Sequence, residues 1–244
     1  MERKSGYDPL DYAKSQYLIM AESKSLQNAA EDLRYLLNRC YPRKPGLELV
    51  GNRYGLTFDE RHLLHRGVFA DVDVQRRLSK KILLKAIKNQ DLAIDGHNVI
   101  ITIEAGLSAQ PLVLGDDGFL RDISGRSGSF KKTERTMEAI GLIMDLFKQW
   151  TPRQTLFLFD APISKSGRLA LEVRNLLKIE NLSGDAMAVK VPEKILIGFP
   201  GIVATSDTAI IDRSKNVIDL AGYIVGRKIR SKSIIRWRRK REPK

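Results

Sequence analysis

Short runs of aliphatic and aromatic residues recur through the second half of the chain, with helix-length segments between them. Runs of this kind are typical of buried strands in a parallel sheet. The pattern predicts strands near 92–95, 155–160, 186–191 and 201–206, and helices near 132–150, 165–180, 193–198 and beyond 208. Because strands that alternate with helices favour right-handed crossovers, we expect a mostly parallel α/β sheet flanked by helices. The stretch 115–128 is rich in glycine and charge, which predicts a long loop near the sheet edge.

The first ninety residues have a helical pattern instead. Apolar residues recur at helical spacing from Leu26 to Leu37, which indicates one buried helix face. Thr57 and Glu60 have the spacing of a capping box at the start of a second helix. A third amphipathic run extends over Val74–Ile87 and places basic residues on its polar side.

Composition limits the class of protein. A chain of 244 residues with 43% hydrophobic residues folds into a substantial core. No apolar run approaches the roughly 18 residues of a membrane span, and the polar start Met1–Lys4 does not resemble a secretory signal. Cys40 is the only cysteine, which suits a cytoplasmic protein without an internal disulfide. We expect an all-helical basic domain over 1–90, an α/β domain over 91–226 and a basic tail over 227–244.

Basic residues exceed acidic ones. The chain has 42 Lys and Arg against 29 Asp and Glu, a net charge of +13, and ten of the last eighteen residues are basic. Such a field attracts polyanions, and nucleic acid is the commonest of these in a cytosol. We expect the tail to bind RNA through Arg236, Trp237 and Arg238, with Trp237 stacking on a base. The alternative is a solvated end that only improves solubility.

Three predicted strands end at aspartates, namely Asp95, Asp160 and Asp207. In an open α/β sheet the carboxyl ends of the strands share one edge, where ligands bind. Carboxylates brought together there repel each other unless a cation lies among them, and oxygen ligands suit Mg²⁺ or Mn²⁺. The alternative for each aspartate is that it caps the helix that follows.

Three short segments resemble motifs of one nuclease family. Ile94–Ile100 looks like the opening strand motif of PIN-like nucleases, especially their NYN branch. Phe159–Ala161 and Val203–Thr208 resemble that branch's second strand end and its late Thr-Ser-Asp motif. The whole chain also resembles a group of uncharacterised archaeal proteins that carry a PIN-like domain after a helical region. The resemblance implies a PIN-like Rossmannoid fold and a metal-dependent ribonuclease.

The resemblance also implies a ligand set. Asp95, Asp207 and Asp212 match positions that bind metal in such enzymes, and Glu193 falls where the family has its second acid. On a continuous helix, however, Asp212 would not share the face of Asp207, which lies five residues earlier. Mg²⁺ held by carboxylates activates water and stabilises the charge on a phosphodiester. We expect Asp95 and Asp207 to hold the metal, with Glu193 or Asp160 completing the catalytic set.

Other residues near these acids are candidates for substrate binding. The Asn98 amide is placed to bind a phosphate or a metal-bound water, or else to form an Asx turn. Ser206 and Thr208 flank Asp207 at a helix start that favours an anion. Lys165 lies at a strand-to-helix junction that lacks the P-loop pattern, so the choice is between a phosphate contact and an ordinary helix start.

These observations predict a Mg²⁺- or Mn²⁺-dependent endoribonuclease. The alternative is a non-catalytic protein that binds RNA, such as tRNA or the ribosome, on the same scaffold. An aspartyl phosphotransferase is disfavoured because Asp160 has no second aspartate two residues later. We also expect the N-terminal helices to form one wall of a basic groove at the acidic edge. The groove would present Arg61, Arg66, Arg76, Arg77, Lys80 and Lys81.

Overall fold

The fold is seen in a computed structural model that describes residues 23–123, 130–231 and 233–237. Its first helices are α1 (Lys24–Asn38), α2 (Arg43–Arg53), α3 (Phe58–Gly67) and α4 (Asp71–Lys80). The later helices are α5 (Gly96–Leu107), α6 (Glu134–Trp150), α7 (Ser166–Ile179), α8 (Pro192–Gly198), α9 (Thr208–Arg213) and α10 (Leu220–Tyr223). The strands are β1 (Asp91–Asp95), β2 (Leu112–Leu114), β3 (Leu120–Asp122), β4 (Gln154–Asp160), β5 (Gly184–Val189), β6 (Ile202–Ala204), β7 (Asn216–Ile218) and β8 (Ile234–Arg236). None of the helices in these ranges has the length and apolar character needed to cross a membrane.

Three of the four N-terminal helices in the described residues form where the sequence predicts them, whereas α2, which contains Pro45, has no counterpart in the prediction. Leu26 and Leu33 are fully buried on α1, and the capping box of Thr57 and Glu60 opens α3. The third predicted helix, Val74–Ile87, corresponds to α4, which ends at Lys80 and does not reach Ile87. The backbone becomes extended at Lys81, and a short 3₁₀ turn follows over Leu84–Ile87.

Five parallel strands form the main sheet, in the order β5-β4-β1-β6-β7. Hydrophobic residues alternate between its two faces. Leu92 and Ile94 belong to the core under α5 and α6, whereas Ala93 belongs to the core on the opposite face. The mostly parallel α/β sheet with flanking helices and a helical N-terminal part is confirmed.

The strand order places a crevice at one edge of this sheet. In chain order the five strands run 3-2-1-4-5, so the chain leaves β1 towards one side and later returns to its other side at β6. The chain therefore leaves the carboxyl ends of the neighbouring strands β1 and β6 in opposite directions. Open α/β sheets bind ligands in the crevice that forms at such a point.

A second, three-stranded sheet corrects the prediction for the C-terminal tail. β8 pairs in parallel with β2, which pairs with β3 inside the stretch predicted to be a loop. Trp237 is half-buried against the core of the N-terminal helices, and its indole lies where a Cβ on Gly67 would be. Part of the tail is thus a folded strand with an anchoring tryptophan, because its apolar residues Ile234 and Ile235 pair with the strand β2. Arg238 lies outside the described residues.

Ion pairs attach the N-terminal helices to the α/β part. Arg77 contacts Asp117 at 3.1 Å and Asp212 at 2.8 Å, and both Arg77 and Asp117 are almost completely buried. Arg34 contacts Asp116 at 2.8 Å. Asp117 is also bound by the buried guanidinium of Arg121 at 2.8 Å, so Arg77 joins a buried charge network that links the helix α4 to α9 and to the loop after β2.

The predicted basic groove is corrected by these contacts. The helices do lie beside the carboxyl edge, as expected, but most of the expected cations have protein partners. Arg77 pairs with two aspartates, Lys80 donates to the carbonyls of Ile211 and Asp212, and Arg61 donates to the carbonyls of residues 48 and 56. Similarly, Arg76 pairs with Asp73 and Asp212, and Lys81 with Asp219. Among the six cations, Arg66 is the one that lines the site described next.

Candidate functional site

A cavity of about 370 Å³ opens at the carboxyl edge of the main sheet, between the ends of β1, β4 and β6. We call it the acid cavity. Its charged lining consists of Asp95, Asp122, Asp160, Glu193, Asp207 and Arg66. The three strand-end aspartates that the sequence indicated therefore do come together.

Asp95 is the buried member of this set. It ends β1, is 8% exposed, and does not cap α5 with its side chain. Burial raises its pKa from 3.8 to about 7, and the negative charges of Asp207, Asp160 and Glu193 act in the same direction. A hydrogen bond of 2.8 Å from Thr205 Oγ1 opposes this rise. The carboxylates are thus close enough for their charges to act on one another.

Asp207 combines the two roles that the sequence left open. Its Oδ1 accepts hydrogen bonds from the backbone N–H groups of Ala209 at 2.7 Å and Ile210 at 3.3 Å, so it caps α9. The same carboxylate lines the acid cavity. The cap fixes the side chain relative to β6, which suits a metal ligand that must be held rigidly.

Asp160 is held by His97. The His97 ring is 2% exposed and lies edge-on to Phe130 and Phe159. Its Nδ1 lies 3.1 Å from the Asp160 backbone nitrogen and 3.0 Å from Oδ2. These two contacts require different proton positions, because Nδ1 accepts from the N–H group only when it carries no proton. One His97 tautomer therefore accepts from the Asp160 backbone N–H group, and the other donates to the Asp160 carboxylate.

Glu193, Asp122 and Arg66 complete the cavity from other elements. Glu193 lies in the first turn of α8, which directly follows β5. Asp122 ends β3 and contacts Arg66 of α3 at 3.2 Å. Arg66 Nε is buried and lacks a hydrogen-bond partner among the described residues. Arg66 was expected at this edge as part of the basic groove, whereas its pairing with Asp122 joins two elements 56 residues apart and is not visible in local sequence pattern.

Asn98 has a fixed orientation in the first turn of α5. Its Oδ1 accepts from the Ser206 backbone N–H at 2.9 Å and lies 3.0 Å from Ser206 Oγ. A backbone N–H can only donate, so the amide oxygen must face Ser206 and the Nδ2 group is directed elsewhere. Ser206 is 2% exposed and joins β6 to α5, which is a structural role. Thr208 opens α9 and lies outside the cavity lining.

Four predicted site residues lie elsewhere. Asp212 is bound by Arg77 and Arg76 and does not line the acid cavity, so its assignment as a metal ligand is corrected. The helix α9 turns it away from Asp207, as the spacing of five residues indicates. Lys165 lines a different cavity. Arg236 is exposed on β8 and Trp237 packs on the N-terminal helices, so Trp237 is an anchor of the fold.

The donor chemistry of the acid cavity fits a hard divalent cation. Asp95, Asp160, Glu193 and Asp207 supply carboxylate oxygens, which Mg²⁺ and Mn²⁺ prefer. Within the described ranges, no three His, Cys, Asp or Glu side chains lie close enough together to hold an ion as they stand. Ligation at this site therefore requires the side chains to move closer together, which a cation favours by neutralising their repulsion.

Comparisons with known proteins place the chain in a family. A family model described as "Domain of unknown function (DUF5616)" matches residues 84–223, and one described as "Protein of unknown function (DUF434)" matches 25–80. The chain is 34% identical over 198 residues to the uncharacterized protein MJ0935 of Methanocaldococcus jannaschii, covering 80% of this chain and 94% of that protein. No solved structure matches it significantly. The first match spans the whole main sheet and every residue that lines the acid cavity except Arg66, and the chain therefore belongs to the DUF5616 family.

Proposed function

We propose that the protein is a Mg²⁺- or Mn²⁺-dependent endoribonuclease with a PIN-like, NYN-type domain. The observation that supports this most strongly is the acid cavity, in which Asp95, Asp160, Glu193 and Asp207 face one space at the switch point of a parallel sheet. Four carboxylates at such a point are electrostatically unfavourable without a cation, so their presence indicates a site for one.

Asp95, Asp207 and Glu193 would hold the metal. Bound there, the ion would activate water and neutralise charge on the phosphodiester. Asp160 is placed to accept a proton from the attacking water, because its carboxylate lines the cavity and is held by His97 Nδ1 at 3.0 Å. Asn98, through its Nδ2 group, and the guanidinium of Arg66 line the same cavity and would donate hydrogen bonds to the phosphate oxygens.

RNA is the proposed substrate class, in a cytoplasmic setting. The net charge of +13 provides long-range attraction for a polyanion, while the cavity itself is acidic. Binding of tRNA or ribosomal RNA without cleavage is the alternative. It gains support from the present side-chain positions, in which no three described acids converge at metal-binding distance.

A cleavage assay separates the two possibilities. Labelled single-stranded RNA is incubated with the wild-type protein in Mn²⁺, in Mg²⁺ and in chelator, beside Glu193→Gln and the matched control Asp212→Asn. We expect metal-dependent cleavage that Glu193→Gln reduces at least 100-fold, in the range of losses for a group that acts on the reacting water or its metal. The control should cleave normally when folded. Binding of RNA without cleavage under all conditions would favour the alternative.

A further inference from the structure

A second cavity lies on the other side of the loop that follows β4. It has a volume of about 940 Å³ and a basic lining that includes Lys131, Lys132, Lys165 and Arg168, against one acidic group, Glu134. We call it the basic cavity. Glu172 pairs with Lys132 and, at 3.4 Å, with Arg168, so two of the four cations are partly neutralised.

Lys131 and Lys165 are the other two cations of this lining. Both are exposed, and the structure shows no carboxylate partner for either of them in the described ranges. Lys165 has a positive φ of 65°, a conformation that is costly for a lysine. Two cations without a carboxylate partner among the described residues, at the wall of one cavity, attract a ligand of negative charge.

Backbone donors face the same cavity. The helices α6 and α7, of 17 and 14 residues, both begin in its lining, at Thr133–Glu134 and Lys165–Ser166. No side chain caps the first turn of α7, and a Cβ on Gly167 would meet nothing within 4 Å. The Ser166 N–H group donates to the Ile163 carbonyl at 3.2 Å, which leaves the N–H groups of Gly167 and Arg168 for an approaching anion. Phosphate is the anion that such helix starts commonly bind.

The basic cavity and the acid cavity are neighbours. The loop from Asp160 to Ser166 lines the acid cavity with Pro162 and Ile163, and the basic cavity with its last three residues. The His97 ring separates them, with Nδ1 at 3.0 Å from Asp160 and Nε2 at 3.4 Å from Ser166 Oγ. One extended polyanion could therefore occupy both.

We propose that the basic cavity binds backbone phosphates of the same single RNA strand whose scissile bond enters the acid cavity. This inference rests on the proposed function and extends it, because it assigns the substrate's neighbouring phosphates to Lys131, Lys165 and the start of α7. It also explains how an acidic site retains a polyanion: the contacts outside the acid cavity supply the binding energy.

The test compares two double variants that lose the same charge. Lys131→Gln/Lys165→Asn alters the basic cavity, and asparagine tolerates the positive φ at residue 165. Lys85→Gln/Lys88→Gln alters two exposed lysines just before β1, at the opposite edge of the sheet. Binding of fluorescein-labelled decauridylate is measured by anisotropy in chelator, at salt concentrations from 0.05 to 0.3 M.

We expect the first variant to bind about 25-fold more weakly at 0.1 M salt, with a log–log salt slope reduced by about 1.4, because each lost contact removes about 0.7. The control variant should match the wild type. Equal losses in both variants, or no loss in the first, would overturn the assignment. Displacement of decauridylate by micromolar pyrophosphate would also overturn it, since the cavity would then be a site for a small free polyphosphate.

This test is independent of cleavage. If the wild type cuts RNA and the Lys131→Gln/Lys165→Asn variant binds RNA as tightly as the wild type, the role of the basic cavity is refuted and the nuclease proposal stands. A protein that binds RNA through these lysines but never cuts it supports the phosphate contacts and refutes the nuclease.

Discussion

Replacing Asp95 with asparagine should stabilise the metal-free protein, and should do so most at neutral and alkaline pH. Asp95 is buried and its pKa is raised to about 7 by burial and by the neighbouring carboxylates. Asparagine has nearly the same shape, keeps an oxygen that accepts the Thr205 Oγ1–H bond, and carries no charge. The substitution thus removes electrostatic strain without creating a cavity.

The magnitude follows from linkage between protonation and folding. A rise from 3.8 to about 7 is roughly three pKa units, and at about 1.36 kcal/mol per unit it corresponds to at most about 4 kcal/mol. Between these pH values the unfolded chain has lost the Asp95 proton while the folded chain keeps it. The stability of the wild type therefore falls as pH rises from about 4 to about 7 and then levels off. The asparagine variant lacks this loss, so its advantage should reach about 2 to 4 kcal/mol above pH 7.

Urea unfolding in chelator at pH 4.5, 6.0 and 8.0 measures this effect. Asp145→Asn is the matched control, because the Asp145 side chain is 71% exposed on α6. The difference in free energy of unfolding between Asp95→Asn and wild type should grow with pH, while the control should differ by a constant amount. A difference for Asp95→Asn that is independent of pH, or a loss of stability at pH 8.0, would refute the electrostatic account of the cavity.

Three further predictions concern the remaining parts of the fold. Arg77→Met should lower the free energy of unfolding in urea by about 1.5 to 3 kcal/mol, because it removes buried charged hydrogen bonds to Asp117 and Asp212 while Arg121 still neutralises Asp117. Arg76→Met at a half-exposed site should cost less than about 1 kcal/mol. Equal costs would show that the buried pair is not what holds the helices. Trp237→Ala should lower the free energy of unfolding by about 2 kcal/mol in the same assay, since its indole is half-buried against the N-terminal helices. An unchanged unfolding midpoint would show that Trp237 does not anchor the fold. Deleting residues 238–244, which carry five basic residues, should reduce the salt slope of RNA binding by up to about 0.7 per lost contact; an identical slope would exclude these residues from binding.

The sequence predicts the parts of the site that depend on local pattern. Asp95, Asp160 and Asp207 each end a buried apolar run, and the parallel sheet alone brings such strand ends to one edge. The capping box of α3 was also readable, because its two partners are three residues apart.

One helix of the α/β part could not be predicted from local pattern. The helix α5 is rich in β-branched residues, which have low helix propensity, and the sequence did not reveal it. It forms because Gly96 lets its first turn approach Phe159 closely, and because almost its whole surface is buried between the sheet, α6 and α10. Packing here overrides propensity.

The ion pairs depend on contacts that sequence spacing does not show. Arg77 and Asp212 are 135 residues apart, so their pairing cannot be predicted from sequence spacing. The family resemblance alone therefore placed Asp212 among the metal ligands. The basic composition of the tail similarly concealed β8, whose apolar residues complete a small sheet with β2.

The central claim is that the acid cavity holds a divalent cation. Crystals of the wild-type protein soaked in Mn²⁺ test it most directly, through anomalous diffraction. We expect an anomalous peak within about 2.0 to 2.4 Å of carboxylate oxygens of Asp95 and Asp207, the range of such hard-cation ligands. The account is contradicted if the acid cavity shows no anomalous peak when Mn²⁺ is saturating.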